Sequence, residues 1–253
     1  MITGAASGIR AAVARKFSEQ GAAGIVLADT QLEGIQEVAQ TIGSHVVPVR
    51  CDATVEQDIR AAVQAAEQRF GAVGVYVSNA GILGPLGGIE IDDSVWQQLW
   101  AIHAMAHVWA ARAVLPGMLR QGEGYVVVTA SAAGLLNVVE SAPYGVTKHA
   151  AVGFAEWLRI AYGRRGIRVS CLCPQSVKTP MIGAGGLSGD TDGLMTPEQV
   201  ADALEATMRS ETFLCLPHPE VADYHRRKGN DYDRWLGGMQ KIYAHQVATE
   251  GKE

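Results

Sequence analysis

Tyr144 and Lys148 stand four residues apart in the run Tyr-Gly-Val-Thr-Lys. On a helix their side chains share one face, a turn apart. An ammonium beside a phenol favours the phenolate and lowers a pKa that ordinarily lies near ~10. A tyrosine so lowered serves as a general base or acid near neutrality. Any solvated helix face can carry the same spacing, so the surrounding residues decide its meaning.

A second constellation opens the chain. Thr3-Gly4-Ala5-Ala6-Ser7-Gly8-Ile9 lies where a first strand passes into a first helix. Gly4 and Gly8 let backbone approach a pyrophosphate, and the N–H groups of Ser7, Gly8 and Ile9 open a helix whose positive end suits an anion. Asp29 ends the next strand about twenty residues on, where an acid accepts the hydroxyls of an adenosine ribose and repels a 2′-phosphate. That favours NAD over NADP; a turn or helix-cap role before Thr30 is the plainer alternative. Asp52, ending the third strand, is placed either to meet an adenine edge or to cap the next helix.

These residues need a scaffold, and the chain alternates strand and helix. Apolar runs at residues 2–4, 24–29, 45–52, 73–77, 124–130, 167–172 and 213–216 read as strands. Segments 9–20, 32–42, 55–70, 93–119, 143–163 and 197–210 carry helical periodicity, the last with Thr196 as N-cap. Near-continuous apolar strands between helices predict a parallel sheet covered on both faces, in an α/β, doubly wound fold. Only Met1 and Ile2 precede the Thr3 turn, so the first strand is either unusually short or lacks upstream residues. A single domain over residues 1–253 is expected. Residues 181–197 form a candidate lid with glycine hinges, and residues 217–253 a charged C-terminal extension that packs on the rim or a neighbouring subunit.

Composition narrows the class. The chain has 253 residues, 48% hydrophobic and 19% charged, a globular balance. A net charge of −5 gives no reason to expect nucleic acid or an anionic membrane as partner. Among the four cysteines, Cys171 and Cys173 point the same way from one strand, poor disulfide geometry. No signal peptide and no membrane-spanning apolar run are seen, and a cytoplasmic setting is expected. His103 and His107 lie one helical turn apart but lack a third ligand, so no metal is expected.

Taken together, the chain resembles a short-chain dehydrogenase/reductase of the compact type. The matching pieces are Thr3 through Ile9, Asp29, Asp52, Asn79-Ala80-Gly81, Ser131, Tyr144 through Lys148, and Pro174 through Thr179, in family order. The resemblance implies a mostly parallel Rossmann sheet of seven strands, a nicotinamide cofactor, hydride transfer at a carbonyl/alcohol carbon, and a homodimer or homotetramer built on the long helices. Ser131 would donate to the substrate oxygen, Tyr144 would exchange the proton, and Lys148 would tune Tyr144 and hold the nicotinamide ribose. Asn79, Ala80 and Gly81 would line the cofactor, as would Pro174, Val177 and Thr179, with Thr179 on the carboxamide. Ala133, Leu135, Val138, Gln175, Met181 and Ile182 would line a substrate pocket with no arginine or lysine among them. An uncharged, fairly hydrophobic secondary alcohol and its ketone are the expected small-molecule pair.

Three positions depart from the family pattern. Arg10 replaces a third glycine of the phosphate loop, and must turn outward, contact the pyrophosphate or obstruct it. His103 stands where an asparagine generally holds a water beside the lysine; it either preserves a relay that titrates near pH ~6.5 or is merely packed. Gln175 replaces a glycine after Pro174. These departures motivate an alternative function, a repurposed member with weakened cofactor use acting as a non-redox enzyme or binding protein.

Overall fold

The computed structural model describes residues 1–181 and 192–250. Seven strands form one parallel sheet: β1 (Ile2–Thr3), β2 (Ile25–Asp29), β3 (Val46–Arg50), β4 (Val75–Ser78), β5 (Gly124–Thr129), β6 (Ile167–Leu172) and β7 (Leu214–Cys215). Their order is β3-β2-β1-β4-β5-β6-β7. The order reverses between β1 and β4, and a crevice opens there at the carboxyl ends of the strands. The predicted doubly wound, seven-stranded architecture is therefore present. β1 is only two residues long, yet it pairs with β2 and β4 on either side.

Alternation along the strands divides the core. Val126 and Val128 of β5 pack in one cluster with Ile59 and Ala62 of α3 (Glu56–Phe70), Ala110 and Val114 of α5 (Ala106–Gln121), and Ala155 and Leu158 of α7 (Ala142–Tyr162). Val127 faces the other way, into a cluster with Val13 of α1 (Gly8–Glu19), Ile35 of α2 (Leu32–Ile42) and Leu204 of α8 (Pro197–Ser210). Every second side chain of β5 thus meets a different helix layer, as the pleat requires.

Local chemistry sets the helices that matter most. α7 starts at Ser141, whose hydroxyl accepts the Tyr144 N–H at 3.4 Å, with Pro143 in the first turn. α8 starts at a full capping box, Thr196 with Gln199, and Pro197 in its first turn. The helix expected over residues 93–119 is instead α4 (Asp93–Trp100), a π-helical turn (Ala101–Met105) and α5, because one extra residue is accommodated around His103. A short helix, α6 (Ala133–Leu136), was not expected; it follows β5 directly. The C-terminal extension forms α9 (Glu220–Asn230) and α10 (Tyr232–Glu250).

Most of the candidate lid, residues 182–191, lies outside the described residues. Its far end is anchored: Lys178 N–H donates to Met195 O at 2.9 Å and Met195 N–H to Ser176 O at 3.3 Å. All four cysteines are buried and free, and the Cys171 and Cys173 sulfurs lie 3.6 Å apart on one side of β6.

Candidate active site

The carboxyl ends of β4 and β5, the start of α7 and the loop after β6 surround a cavity of about 430 Å³. Ser131, Tyr144 and Lys148 share its wall with Ile9, Asn79, Gly81, Pro174, Val177 and Thr179. The Lys148 ammonium is buried, donates to Thr129 O at 3.3 Å, and lies 5.6 Å from the Tyr144 ring centroid. Ser131 Oγ accepts the Ala133 N–H at 3.1 Å and reaches Pro174 O at 3.4 Å. The α6 helix presses closely on this wall: a Cβ on Gly134 would sit 2.5 Å from Lys148 O.

The electrostatics correct one expectation. Burial pushes the Tyr144 phenol up from its ordinary value, and the nearby Ser131 hydroxyl pulls the other way. Lys148 bonds the Thr129 carbonyl rather than the phenol oxygen, and burial dominates. Lys148 itself is lowered to about 8, first by desolvation and then by the Arg10 charge, while Cys171 and Cys173 pull the other way.

His103 is fully enclosed behind this wall. The Thr147 hydroxyl donates to Pro143 O at 2.7 Å, with Tyr144 O at 3.2 Å, so its oxygen accepts from His103 Nδ1–H at 2.9 Å. The Ile82 N–H donates to His103 Nε2 at 3.3 Å. Both partners select the same neutral tautomer. Burial, then Lys148 and His107, hold the ring's pKa well below its ordinary value. A histidine that titrates near neutrality is therefore not what the structure provides. His103 packs edge-on to the Tyr144 ring, 5.4 Å between centroids, and ties it to the turn after β4.

That turn is also anchored by Thr3, a role sequence reading missed. Thr3 Oγ1 accepts the N–H groups of Asn79 at 3.0 Å and Ala80 at 3.3 Å. The glycine loop has the expected form: Gly4 and Gly8 adopt φ of 68° and 62°, and the Ser7 hydroxyl does not cap the first N–H groups of α1. A Cβ on Gly8 would meet Thr179 Cγ2 at 2.9 Å, which brings the loop and Thr179 together. Asp29 Oδ2 accepts the Ala6 N–H and Oδ1 the Gln31 N–H, both at 3.0 Å, linking the acid to the loop. Asp52 Oδ1 accepts from Thr54 N–H and Oγ at 2.8 and 2.7 Å, and like Asp29, Gly4, Ser7, Gly8 and Ala80 it lies outside the cavity lining. An open helix end, positive-φ glycines and a fixed acid on the adjoining strand fit a dinucleotide.

On the substrate side, Ala133, Val138, Gln175 and Met181 line the cavity as expected. Leu135 does not: α6 turns it into the core, and its neighbour Leu136 takes the cavity face. Ile182 lies outside the described residues. Gln175 Nε2 donates to Asp192 Oδ2 at 3.0 Å, so its amide is tied to the far end of the loop. The larger correction concerns the C-terminal extension. Tyr224 and Arg227 of α9 and Trp235, Met239 and Ile242 of α10 also line the cavity. The 235/239/242 spacing marks one helix face, a signal present in the sequence but masked by the surrounding charges. Arg10 lines the cavity too, so the pocket does contain arginine. Among the described residues no cluster of three or more metal-ligating side chains occurs.

Comparison with known proteins agrees with this geometry. The chain is 33% identical over 231 residues to 1-deoxy-11-beta-hydroxypentalenate dehydrogenase of Streptomyces exfoliatus, covering 87% of this chain and 83% of that protein. It is 33% identical to estradiol 17-beta-dehydrogenase 11 of Rattus norvegicus, over 81% of this chain and 70% of the other. A short chain dehydrogenase/reductase from Burkholderia phymatum, solved in complex with NAD, superposes with a TM-score of 0.83 at 27% identity, covering 92% of this chain and 93% of that one. The short chain dehydrogenase family model matches residues 1–185, and with the glycine loop, the strand switch and the Ser131–Tyr144–Lys148 wall in place, the chain belongs to that family of nicotinamide-dependent oxidoreductases.

Proposed function

We propose that the chain is an NAD-dependent short-chain alcohol dehydrogenase/ketoreductase that interconverts a fairly hydrophobic secondary alcohol and its ketone. The observation that carries this is the convergence of Ser131, Tyr144 and Lys148 on one wall of an otherwise mostly apolar cavity at the strand switch. A bound nicotinamide supplies the hydride chemistry. Ser131 holds the substrate oxygen, and Tyr144 takes the alcohol proton or returns it to the alkoxide. Such acid–base help is worth ~10²–10⁴ in rate. Lys148 holds the nicotinamide ribose and, once charge develops on Tyr144, opposes it across the ring. His103 serves to position Tyr144 rather than to move protons. Asp29, held beside the glycine loop by the Ala6 N–H, supports the choice of NAD. Ala133, Leu136, Val138, Met181 and Trp235 make the surroundings of the reacting carbon apolar, which supports an uncharged reacting end. The names of the relatives, a hydroxypentalenate and an estradiol dehydrogenase, support a bulky alicyclic alcohol.

The assembly proposed is a homodimer or homotetramer, supported by apolar side chains left outside on α7, where Ile160 is 80% exposed. Among the described residues no helix is long and apolar enough to cross a membrane, and four free thiols support the cytoplasmic setting we assign. A screen of secondary alcohols with NAD and with NADP, read at the nicotinamide absorbance, tests the activity. Turnover with NAD that disappears in Tyr144→Phe is the expected result. Absence of NADH and NADPH binding in calorimetry would overturn it in favour of a non-redox role.

A further inference from the structure

Arg10 does not turn outward. Its guanidinium lies over Gly4, where a Cβ on that glycine would have to go, and the same point is 2.9 Å from Ala80 Cα. The side chain thus spans the groove between the ends of β1 and β4 and reaches the cavity wall shared by Asn79 and Lys148. Among the described residues it has no hydrogen-bond partner and no carboxylate within ion-pair distance. Asp29 attracts it, yet both Asp29 oxygens already accept from Ala6, Gln31 and Thr30. The first turn of α1 carries no acidic residue. The positive helix end therefore holds a second positive charge, an arrangement unfavourable by itself. A half-buried guanidinium with five donors and no acceptor calls for an anion with several oxygens, and a diphosphate matches its fork.

We propose that Arg10 is a cationic clamp for the diphosphate of the dinucleotide, swinging off Gly4 to meet it. This inference rests on the nicotinamide reading above and adds a specific consequence. Binding through N–H donors of the helix end alone depends weakly on salt, whereas a clamp makes the affinity fall as salt rises.

The test is calorimetric titration of the wild type, Arg10→Gln, Arg10→Lys and Arg10→Gly with NADH, ADP-ribose and adenosine at low and high salt. Arg10→Gln and Arg10→Gly are expected to weaken NADH and ADP-ribose by about tenfold or more at low salt. They should flatten the salt dependence and leave adenosine, which has no phosphate, unchanged. Arg10→Lys should retain most of the salt dependence. Tighter NADH binding by Arg10→Gly would show an obstruction and overturn the clamp. Equal affinities and equal salt slopes across all variants would overturn it as well, with the cofactor reading intact. A wild type that binds neither NADH nor ADP-ribose would instead remove the cofactor reading, and the clamp with it.

Discussion

Replacing Thr147 by valine isolates the link between His103 and the turn of α7 that carries Tyr144. The two side chains have nearly the same shape, so the change is chemical. Thr147 is fully buried and its oxygen accepts the Nδ1–H of His103 at 2.9 Å. Valine leaves that N–H without a partner in an enclosed site. Switching the tautomer gives no escape, because a proton on Nε2 would then face the Ile82 N–H, 3.3 Å away as heavy atoms. An orphaned buried donor of this kind costs about 1–3 kcal/mol. For a domain of this size each kcal/mol lowers Tm by roughly 2–4 °C. Thermal unfolding should therefore place Thr147→Val about 2–12 °C below the parent. Because His103 leans edge-on against the Tyr144 ring, kcat should fall by about tenfold or more, misplacement of a reacting group being the cause. KM for the cofactor should change much less. Thr147→Ser keeps the hydroxyl and should restore most of both losses. A Thr147→Val protein that melts within a degree of the parent and turns over at its rate would refute the assigned tautomer and the positioning role.

Three further outcomes are expected. Gly134→Ala puts a methyl 2.5 Å from Lys148 O, overpacking that should destabilise by about 1–3 kcal/mol and lower activity with it; unchanged urea midpoint and kcat would contradict the close approach of α6 to α7. Lys148→Met should abolish turnover yet stabilise the protein at pH 7. The Lys148 pKa falls from 10.5 to about 8 on folding, so the burial penalty, at most about 3 kcal/mol, is complete below pH 8 and gone above pH 10.5. Urea unfolding at pH 7 and pH 10 should show the advantage of the variant shrinking as pH rises; a variant less stable than the parent at pH 7 would count against it. His107 is lowered to about 3 by burial and then by Lys148, and its Nε2 has no partner. The unfolded chain takes up this proton near pH 6.5 while the folded one resists until about 3, so stability is lost as pH falls through that window. His107→Leu should move the acid midpoint in circular dichroism to lower pH, and an unmoved midpoint would refute the assignment.

Much of the fold was legible because local chemistry and global packing agree. The bounds of α2, β6 and α8 match their expected ranges. Gly43 ends the first in an open conformation, Gly166 permits the left-handed residue before the second, and the Thr196–Gln199 box starts the third. Ser131, Tyr144 and Lys148 were legible as a set for a related reason: the loop just after β5 and the first two turns of a capped helix hold them at spacings that sequence reports directly. What escaped is set by tertiary contacts. The π turn around His103 coincides with its bonds to Thr147 and Ile82, residues distant in sequence, and has no local signal. The rotation of α6, which puts Leu136 rather than Leu135 on the cavity, is invisible in four residues. The direction of the Arg10 side chain depends on a groove made by two strands distant in sequence. The raised Tyr144 pKa follows from burial, which spacing cannot reveal.

The chain divides its labour along its length. The reacting wall belongs to elements locked into the sheet, whereas Trp235, Met239 and Ile242 come from a helix added after the last strand. Lys228, buried and bonded to Leu135 O at 2.6 Å, rivets that appendage to α6. Drift in the tail would therefore change one side of the cavity and leave the wall of Ser131, Tyr144 and Lys148 in place. Grafting α9 and α10 onto a sibling scaffold would carry over that half of the lining without altering the half borne by the sheet.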